Sequence, residues 1–377
     1  MQSFPRLKRI LKPLLILSIS TLVGLLIAEA ISRLLPWQPE PPIKIYDEKI
    51  GFRLRPGLRG TWTIENPGHF IFNTYGFRDV EWMLKKGKKH RVAILGDSFV
   101  EALQINLEQS FPKLIEDNLK NVEVMNFAIS GQGQVEELLT YRYCVRPFKP
   151  DLVVLCFFPG NDPLDNWRRH KPSSRFPVYA KAFSNGVDLI PVPGIKKFEP
   201  LRRIIDWTHY HFSLMQRIQD VRRSFLRYQK GRLTEAGLWE GAFGNPGGVV
   251  PDFDEIWDLT ENLLLQLYRD VTADTGYSSR LLMVCLTEGV QVHRSQRDAF
   301  VKQYPSLDPD YSEKRIQAFC KFNGIPFLAL SPDMIRYNQS TGNLLHGFDG
   351  RGQGHFNING HKVAADSISG RLKRMLP

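Results

Sequence analysis

Apolar residues along this chain fall into three kinds of run. Residues 92–95, 122–128, 152–158, 281–286 and 325–330 are nearly continuous apolar stretches of strand length. Continuity rather than alternation marks strands buried on both faces. Between them, segments such as 107–119 and 134–145 carry apolar positions at helical spacing. This β-α-β-α order predicts a parallel sheet covered by helices, a three-layer α/β/α domain. The third kind is residues 13–32, rich in Leu, Ile, Val and Ala with Glu29 as its one charge, and a helix of ~20 such residues crosses a bilayer. Residues 163–276, between the third and fourth strands, far exceed the dozen or so residues of a plain crossover. They are expected to form an insertion of helices and loops over one edge of the sheet.

Charge gives the apolar helix a direction. Arg6, Lys8, Arg9 and Lys12 precede it with no acid among them, so the N-terminus is expected in the cytoplasm and the rest of the chain outside it. Ala28-Glu29-Ala30 also has the small-x-small form of a signal-peptidase site, and either reading exports the protein. The predicted divisions are a cytoplasmic stub and transmembrane anchor over 1–36, a linker and lead-in over 37–72, and the α/β domain over 73–377. Pro36, Pro39, Pro41 and Pro42 make the linker a stiff spacer.

At 377 residues with 42% hydrophobic content a sizeable core is expected, and the formal net charge of +11 suits an acidic partner. No recognisable nucleic-acid module is present. Residues 201–232 hold eight basic residues against Asp206 and Asp220, a stretch suited either to anionic headgroups or an acidic glycan, or to a solvated helix face. Trp167, Trp207, Trp239 and Trp257 fall in the insertion and suit either sugar stacking or core packing. Cys144, Cys156, Cys285 and Cys320 lack metal or redox spacing, so no disulfide framework is expected. His346, His355 and His361 match no metal-binding pattern, and neither a metal nor a cofactor is expected.

Parallel strands deliver their C-terminal ends to one edge of a sheet, where ligands bind. The first strand runs into Gly96-Asp97-Ser98-Phe99, the second into Ser130-Gly131-Gln132-Gly133 and the third into Pro159-Gly160-Asn161-Asp162. His355 follows the fifth strand. A serine needs a base within reach to become a nucleophile, and His355 is the candidate. The oxyanion formed on attack at an ester needs pre-positioned donors: the backbone N–H groups of Ser98 and Gly131 and the side-chain amide of Asn161. Glycine at 131 is expected to allow close backbone approach. Asp97 and Asp162 are expected to hold their loops, and His361 to be structural.

These segments, with Gly354-His355-Phe356-Asn357-Ile358-Asn359-Gly360-His361, resemble blocks I, II, III and V of the SGNH (GDSL-like) hydrolase superfamily in order and spacing. Asn73-Thr74-Tyr75-Gly76-Phe77-Arg78-Asp79 is similar to a segment before block I in membrane-anchored bacterial members. The resemblance implies a flavodoxin-like fold with a five-stranded parallel sheet and a Ser98–His355 catalytic pair. One departure stands out: the aspartate usually found two or three residues before the block V histidine is replaced by Gly352 and Gln353. Asp349, six residues back, is the candidate third member, with a dyad or a backbone carbonyl as alternatives. The G-x-S-x-G elbow of α/β-hydrolases requires glycine where Val100 stands, which disfavours that fold.

The expected function is a serine esterase or O-acyltransferase on an acylated extracytoplasmic substrate such as envelope polysaccharide. The rivals are a lipolytic acyl-ester or thioester hydrolase and a non-catalytic envelope protein that keeps the fold for glycan binding or assembly. Oligomeric state is not legible.

Overall fold

The computed structural model describes residues 5–35, 43–167, 178–183, 186–191, 199–230, 253–277 and 280–376. The expected Pro-rich spacer over 36–42, Trp239 and Arg232 lie outside the described residues. Contacts divide the chain into two units: 1–43 with 197–233, and 44–196 with 234–377.

The larger unit is built on a five-stranded sheet in the order β11-β10-β7-β5-β6. Its strands are β5 (His90–Leu95), β6 (Val122–Asn126), β7 (Leu152–Phe157), β10 (Leu281–Cys285) and β11 (Phe327–Ala329). All pairs are parallel, with Val92 opposite both Val124 and Leu152. Each predicted apolar run overlaps one of these strands. β5 lies between β6 and β7, and the chain leaves it first to β6 on one side and then returns to β7 on the other. The C-terminal end of β5 is therefore a topological switch point, where a crevice opens in such sheets.

Alternation along the strands decides which layer each residue meets. Val92, Ile94, Val154, Cys156 and Val284 pack in one apolar cluster with Phe111 and Ile115 of α2 (Phe111–Asn118) and with Val363 and Ile368 of α10 (Ile358–Met375). Phe157, on the other face, lies 6.3 Å between ring centroids from Trp257 of α6 (Phe253–Thr275), which also packs on α3 (Gln134–Thr140). Trp257 is fully buried, so core packing is its use. Longer helices elsewhere in this unit are α7 (Arg294–Gln303), α8 (Tyr311–Asn323) and α9 (Ser331–Thr341). The four cysteines are free.

Two regions differ from expectation. Residues assigned to a lead-in form two hairpins, β1 (Lys44–Asp47) with β2 (Gly51–Leu54) and β3 (Arg59–Trp62) with β4 (Gly68–Ile71). The strands are four residues each, too short for periodicity to register. The insertion is not one body: β8 (Val178–Phe183), β9 (Gly186–Pro191) and α6 belong to the sheet unit, whereas α4 (Glu199–His211) and α5 (Ser213–Lys230) belong to the unit of α1 (Pro5–Leu34). Residues 12–34 of α1 have a mean hydropathy of 2.4 and are long and apolar enough to cross a membrane.

The segment before β5 explains its own residues. Asn73 Oδ1 accepts from Tyr75 N and Phe77 N, both at 3.1 Å, fixing a turn. Arg78, fully buried, donates to Glu101 O at 2.9 Å, Ile105 O at 2.6 Å and His69 O at 3.2 Å. Burial lowers its pKa to about 10, with the Glu101 charge the chief opposing influence. Asp79 accepts from Asn126 N at 2.9 Å and pairs with Lys113 at 2.7 Å. Removing the guanidinium would orphan three carbonyls, each costing on the order of 1–3 kcal/mol when buried and unpaired. Arg78→Met is therefore expected to lower unfolding free energy by about 3 kcal/mol or more in urea titrations of the detergent-solubilised protein. A loss under about 1 kcal/mol would mean that water takes over these carbonyls.

Candidate active site

β5 ends at Leu95, and the chain turns at once into the single helical turn Ser98–Glu101. Asp97 caps it, its Oδ1 accepting from Phe99 N at 3.0 Å. The Ser98 hydroxyl lies 3.4 Å from Asp97 Oδ2. Burial raises the Asp97 pKa, and the Phe99 N–H, the His355 charge and the Asn161 amide each pull it back down. Beyond β6, Ile129 N donates to Gly96 O at 3.3 Å, and Ser130 N to the Glu101 carboxylate at 2.5 Å. Gly131 follows at φ 75°. A side chain there would meet open space, so the left-handed backbone, not crowding, is what requires glycine. Beyond β7, Asp162 Oδ2 accepts from Phe158 N at 2.8 Å and Gln134 Nε2 at 2.7 Å. Burial, with Glu137 and Asp97 nearby, holds its pKa well above the usual carboxylate range. Both aspartates thus hold loops, as expected.

Ser98, Asn161 and His355 line one cavity of ≈ 690 Å³; Gly131 is not among its lining residues. The imidazole of His355 packs 4.8 Å between centroids from Phe99, the residue after the serine. His361 is structural as expected: it is buried, its Nδ1 accepts from Phe111 N at 3.3 Å at the start of α2, and burial lowers its pKa to about 3.

The acid at the imidazole is Glu65, not Asp349. Asp349 is exposed and pairs with Arg351 at 2.6 Å, because the loop from 350 to 354 carries its own basic residue and does not fold back. Glu65, at the tip of the β3–β4 hairpin, places its carboxylate oxygens 2.8 and 2.9 Å from His355 Nδ1, and one of them 3.4 Å from His355 N. Glu65 has φ 68°, a conformation that costs a non-glycine residue on the order of 1–3 kcal/mol and persists where surroundings enforce it. Here Asn66 Nδ2 donates to Gln104 O at 2.7 Å, and Asn106 Oδ1 accepts from His69 N at 3.1 Å. Opposite, Gly354 has φ 100°, and a Cβ on it would come 3.2 Å from Glu65 Oε2.

With Nδ1–H donating to Glu65, the neutral ring presents its lone pair at Nε2. Burial disfavours the imidazolium, but the Glu65 hydrogen bond and charge, with Asp97 and Glu288 behind them, outweigh it and raise the His355 pKa above its ordinary 6.5. Burial likewise opposes ionisation of Glu65, but contact with His355 leaves its pKa lowered. Glu288 is a further cavity residue that the motifs did not mark, its carboxyl pushed up to about 7 by burial. It follows β10 directly, so the strand-end rule that found the serine and the asparagine extends to it. The hint of Glu65 was only a Glu-Asn-Pro-Gly turn sequence, 290 residues from its partner.

No family model matches the chain, and no curated protein matches it in sequence. Solved structures with a similar fold include an acetyl xylan esterase at 15% identity, covering 75% of this chain and 99% of that one with a TM-score of 0.40. A GDSL-like lipase from Bacteroides thetaiotaomicron is 14% identical over 78% of this chain and 93% of its own, TM-score 0.37. A catalytic mutant of an acetylxylan esterase from Geobacillus stearothermophilus is 11% identical over 78% and 96%, TM-score 0.39.

The sign of the pH dependence comes from the pair. A base must be unprotonated, so any ester turnover that uses His355 as its base is expected to rise with pH through a midpoint above 6.5, the ordinary imidazole value. Glu65→Gln removes the charge that raises the pKa, so the midpoint moves to lower pH while kcat falls on the order of 10²- to 10⁴-fold. Asp349→Asn is expected to leave both unchanged. For stability, the raised His355 pKa contributes fully below pH 6.5 and is lost as pH rises through the folded value. The lowered Glu65 pKa contributes above pH 4.5 and is lost as pH falls through its folded value. A pH–rate profile of the two variants against the parent checks the assignment.

Proposed function

We propose that this chain is a serine ester hydrolase of the SGNH type, held at a membrane by α1 with the sheet unit outside the cytoplasm. The observation that carries this reading is the Glu65–His355 contact at the mouth of the cavity that Ser98 lines. Rotation of the Ser98 side chain toward His355 Nε2 lets the imidazole take the hydroxyl proton as Oγ attacks the ester carbonyl. The Ser98 N–H, the Gly131 N–H and the Asn161 amide are the donors for the oxyanion. Collapse breaks the bond to the leaving alkoxide, which takes its proton from His355, and an acyl-serine remains. Water then repeats the sequence and releases the acid; a sugar hydroxyl in place of water makes the same chemistry an acyl transfer. The basic flank of α1 supports the outward orientation, and an acylated envelope polysaccharide suits an exported enzyme.

One observation favours the lipolytic reading of the same site. Phe99, Phe158, Val290 and Phe300 line the cavity, and apolar walls suit an acyl chain longer than acetyl. The non-catalytic reading rested on the missing block V aspartate, and Glu65 beside His355 removes that argument.

Ser98→Ala is expected to abolish fluorophosphonate labelling and reduce hydrolysis of model acyl esters by about 10⁴-fold or more. Asn161→Ala is expected to cost about 10²- to 10³-fold in kcat. A chain-length series on those esters separates the readings: activity peaking at acetyl favours the polysaccharide esterase, and activity peaking at long chains the lipase. A folded parent that neither labels nor turns over would sink the catalytic proposal.

A further inference from the structure

The unit formed by α1, α4 and α5 leaves apolar side chains bare. On α4, Leu201, Ile204 and Ile205 stand at i, i+3 and i+4 with exposures of 53, 58 and 40%, and Arg203 and Asp206 fall on the reverse side. On α5, Ile218 and Val221 are 53 and 71% exposed, and Arg222 is exposed beside them. Trp207 is 55% exposed on the flank of the α4 face. Amphipathic helices with one bare apolar face need a partner to cover it.

The contacts with α1 say which. Glu29 accepts from the first backbone N–H groups of α5, Ser213 N at 3.0 Å and Leu214 N at 2.9 Å. Ser32 Oγ meets Ser213 Oγ at 2.9 Å, and Arg217 donates to Ser32 O at 2.8 Å. Arg33 donates to His211 O at 2.8 Å and to Glu29 at 2.7 Å. All three α1 residues lie in the last turns of its apolar stretch, 12–34. A helix rises 1.5 Å per residue, so ~20 residues from Lys12 use up the ~30 Å of hydrocarbon in a bilayer. The α4–α5 junction is therefore tied to the level of the headgroups.

We propose that α4 and α5 form an interfacial element lying in the outer surface of the same bilayer that α1 crosses. Leu201, Ile204, Ile205, Ile218 and Val221 enter the boundary between acyl chains and headgroups, and Trp207 sits at headgroup level. Arg203 and Arg222, both exposed, give the element its preference for anionic lipid. The partner is a lipid surface, and the assignment rests on the membrane-spanning reading of α1. Glu29, the residue at the centre of the small-x-small triplet, is a ligand of α5 and belongs to the mature protein on this account.

The test places an environment-sensitive fluorophore on single cysteines in the full chain, reconstituted in phosphatidylcholine–phosphatidylglycerol vesicles. Cys144→Ser serves as background, since the other three cysteines are buried. Labels on Leu201→Cys, Ile205→Cys and Val221→Cys are expected to emit blue-shifted and be quenched by shallow doxyl lipid, with aqueous iodide ineffective. A label on Arg203→Cys should show the reverse. Leu22→Cys, in the middle of α1, reports the span itself through quenching by deep doxyl lipid. If Leu22 is quenched but the Leu201 and Ile205 labels answer to iodide, the span stands and the interfacial element is overturned. Labels shielded from both quenchers would mean a protein partner and overturn it equally. An unquenched Leu22 label would remove the membrane-spanning reading, and this proposal with it.

Discussion

Arg78 ties together three stretches of backbone beside Ser98. Its guanidinium holds the carbonyl of Glu101 at the end of the helical turn that begins at Ser98, that of Ile105 in the loop beyond it, and that of His69 in β4. These three hydrogen bonds offset the cost of burying the charge, although its Nε has no partner among the described residues, so separating the segments would leave the guanidinium less satisfied still. The β3–β4 hairpin is thereby clamped onto the loop after the serine, and its tip reaches the imidazole. Glu65 keeps its left-handed backbone because the residues on either side of it are already fixed.

The same clamp explains how the site does without an aspartate beside the histidine. What the imidazole requires is an anionic acceptor at Nδ1, in a setting dry enough for the charge to count. The chain position of that acceptor is immaterial. Glu65 supplies it from a hairpin that precedes the sheet, and Gly354 leaves room for the carboxylate to approach. Asp97 and Glu288 add negative potential from the sheet side. The result is a stronger base than an isolated histidine, formed from three carboxyl groups on three separate elements.

In the smaller unit a polar cluster works at the end of an apolar helix. Glu29 would be costly within hydrocarbon, but near the end of the apolar helix it gives the start of α5 two hydrogen-bond acceptors where a helix has unpaired N–H groups. Arg33 and Arg217 neutralise and complete the cluster. A residue that reads in sequence as a blemish in a membrane segment is, in the fold, the attachment point of α5.

The sequence by itself determined the sheet and three residues at its edge. Buried parallel strands are written as unbroken apolar runs, and the residues after each run must emerge at one edge, so the sequence alone assigns Ser98, Asn161 and His355 to one place. The apolar span was equally legible, because bilayer thickness fixes its length. Glu65, the division of the insertion between two units and the attachment of α5 to Glu29 were decided only by tertiary structure. Each depends on contacts between residues tens to hundreds of positions apart, made by short strands and single side chains with no periodicity to announce them. Asp349 illustrates the limit: nearness in sequence favoured it, but a neighbouring arginine claimed its carboxylate, and the acid that reached the histidine came from the other end of the domain.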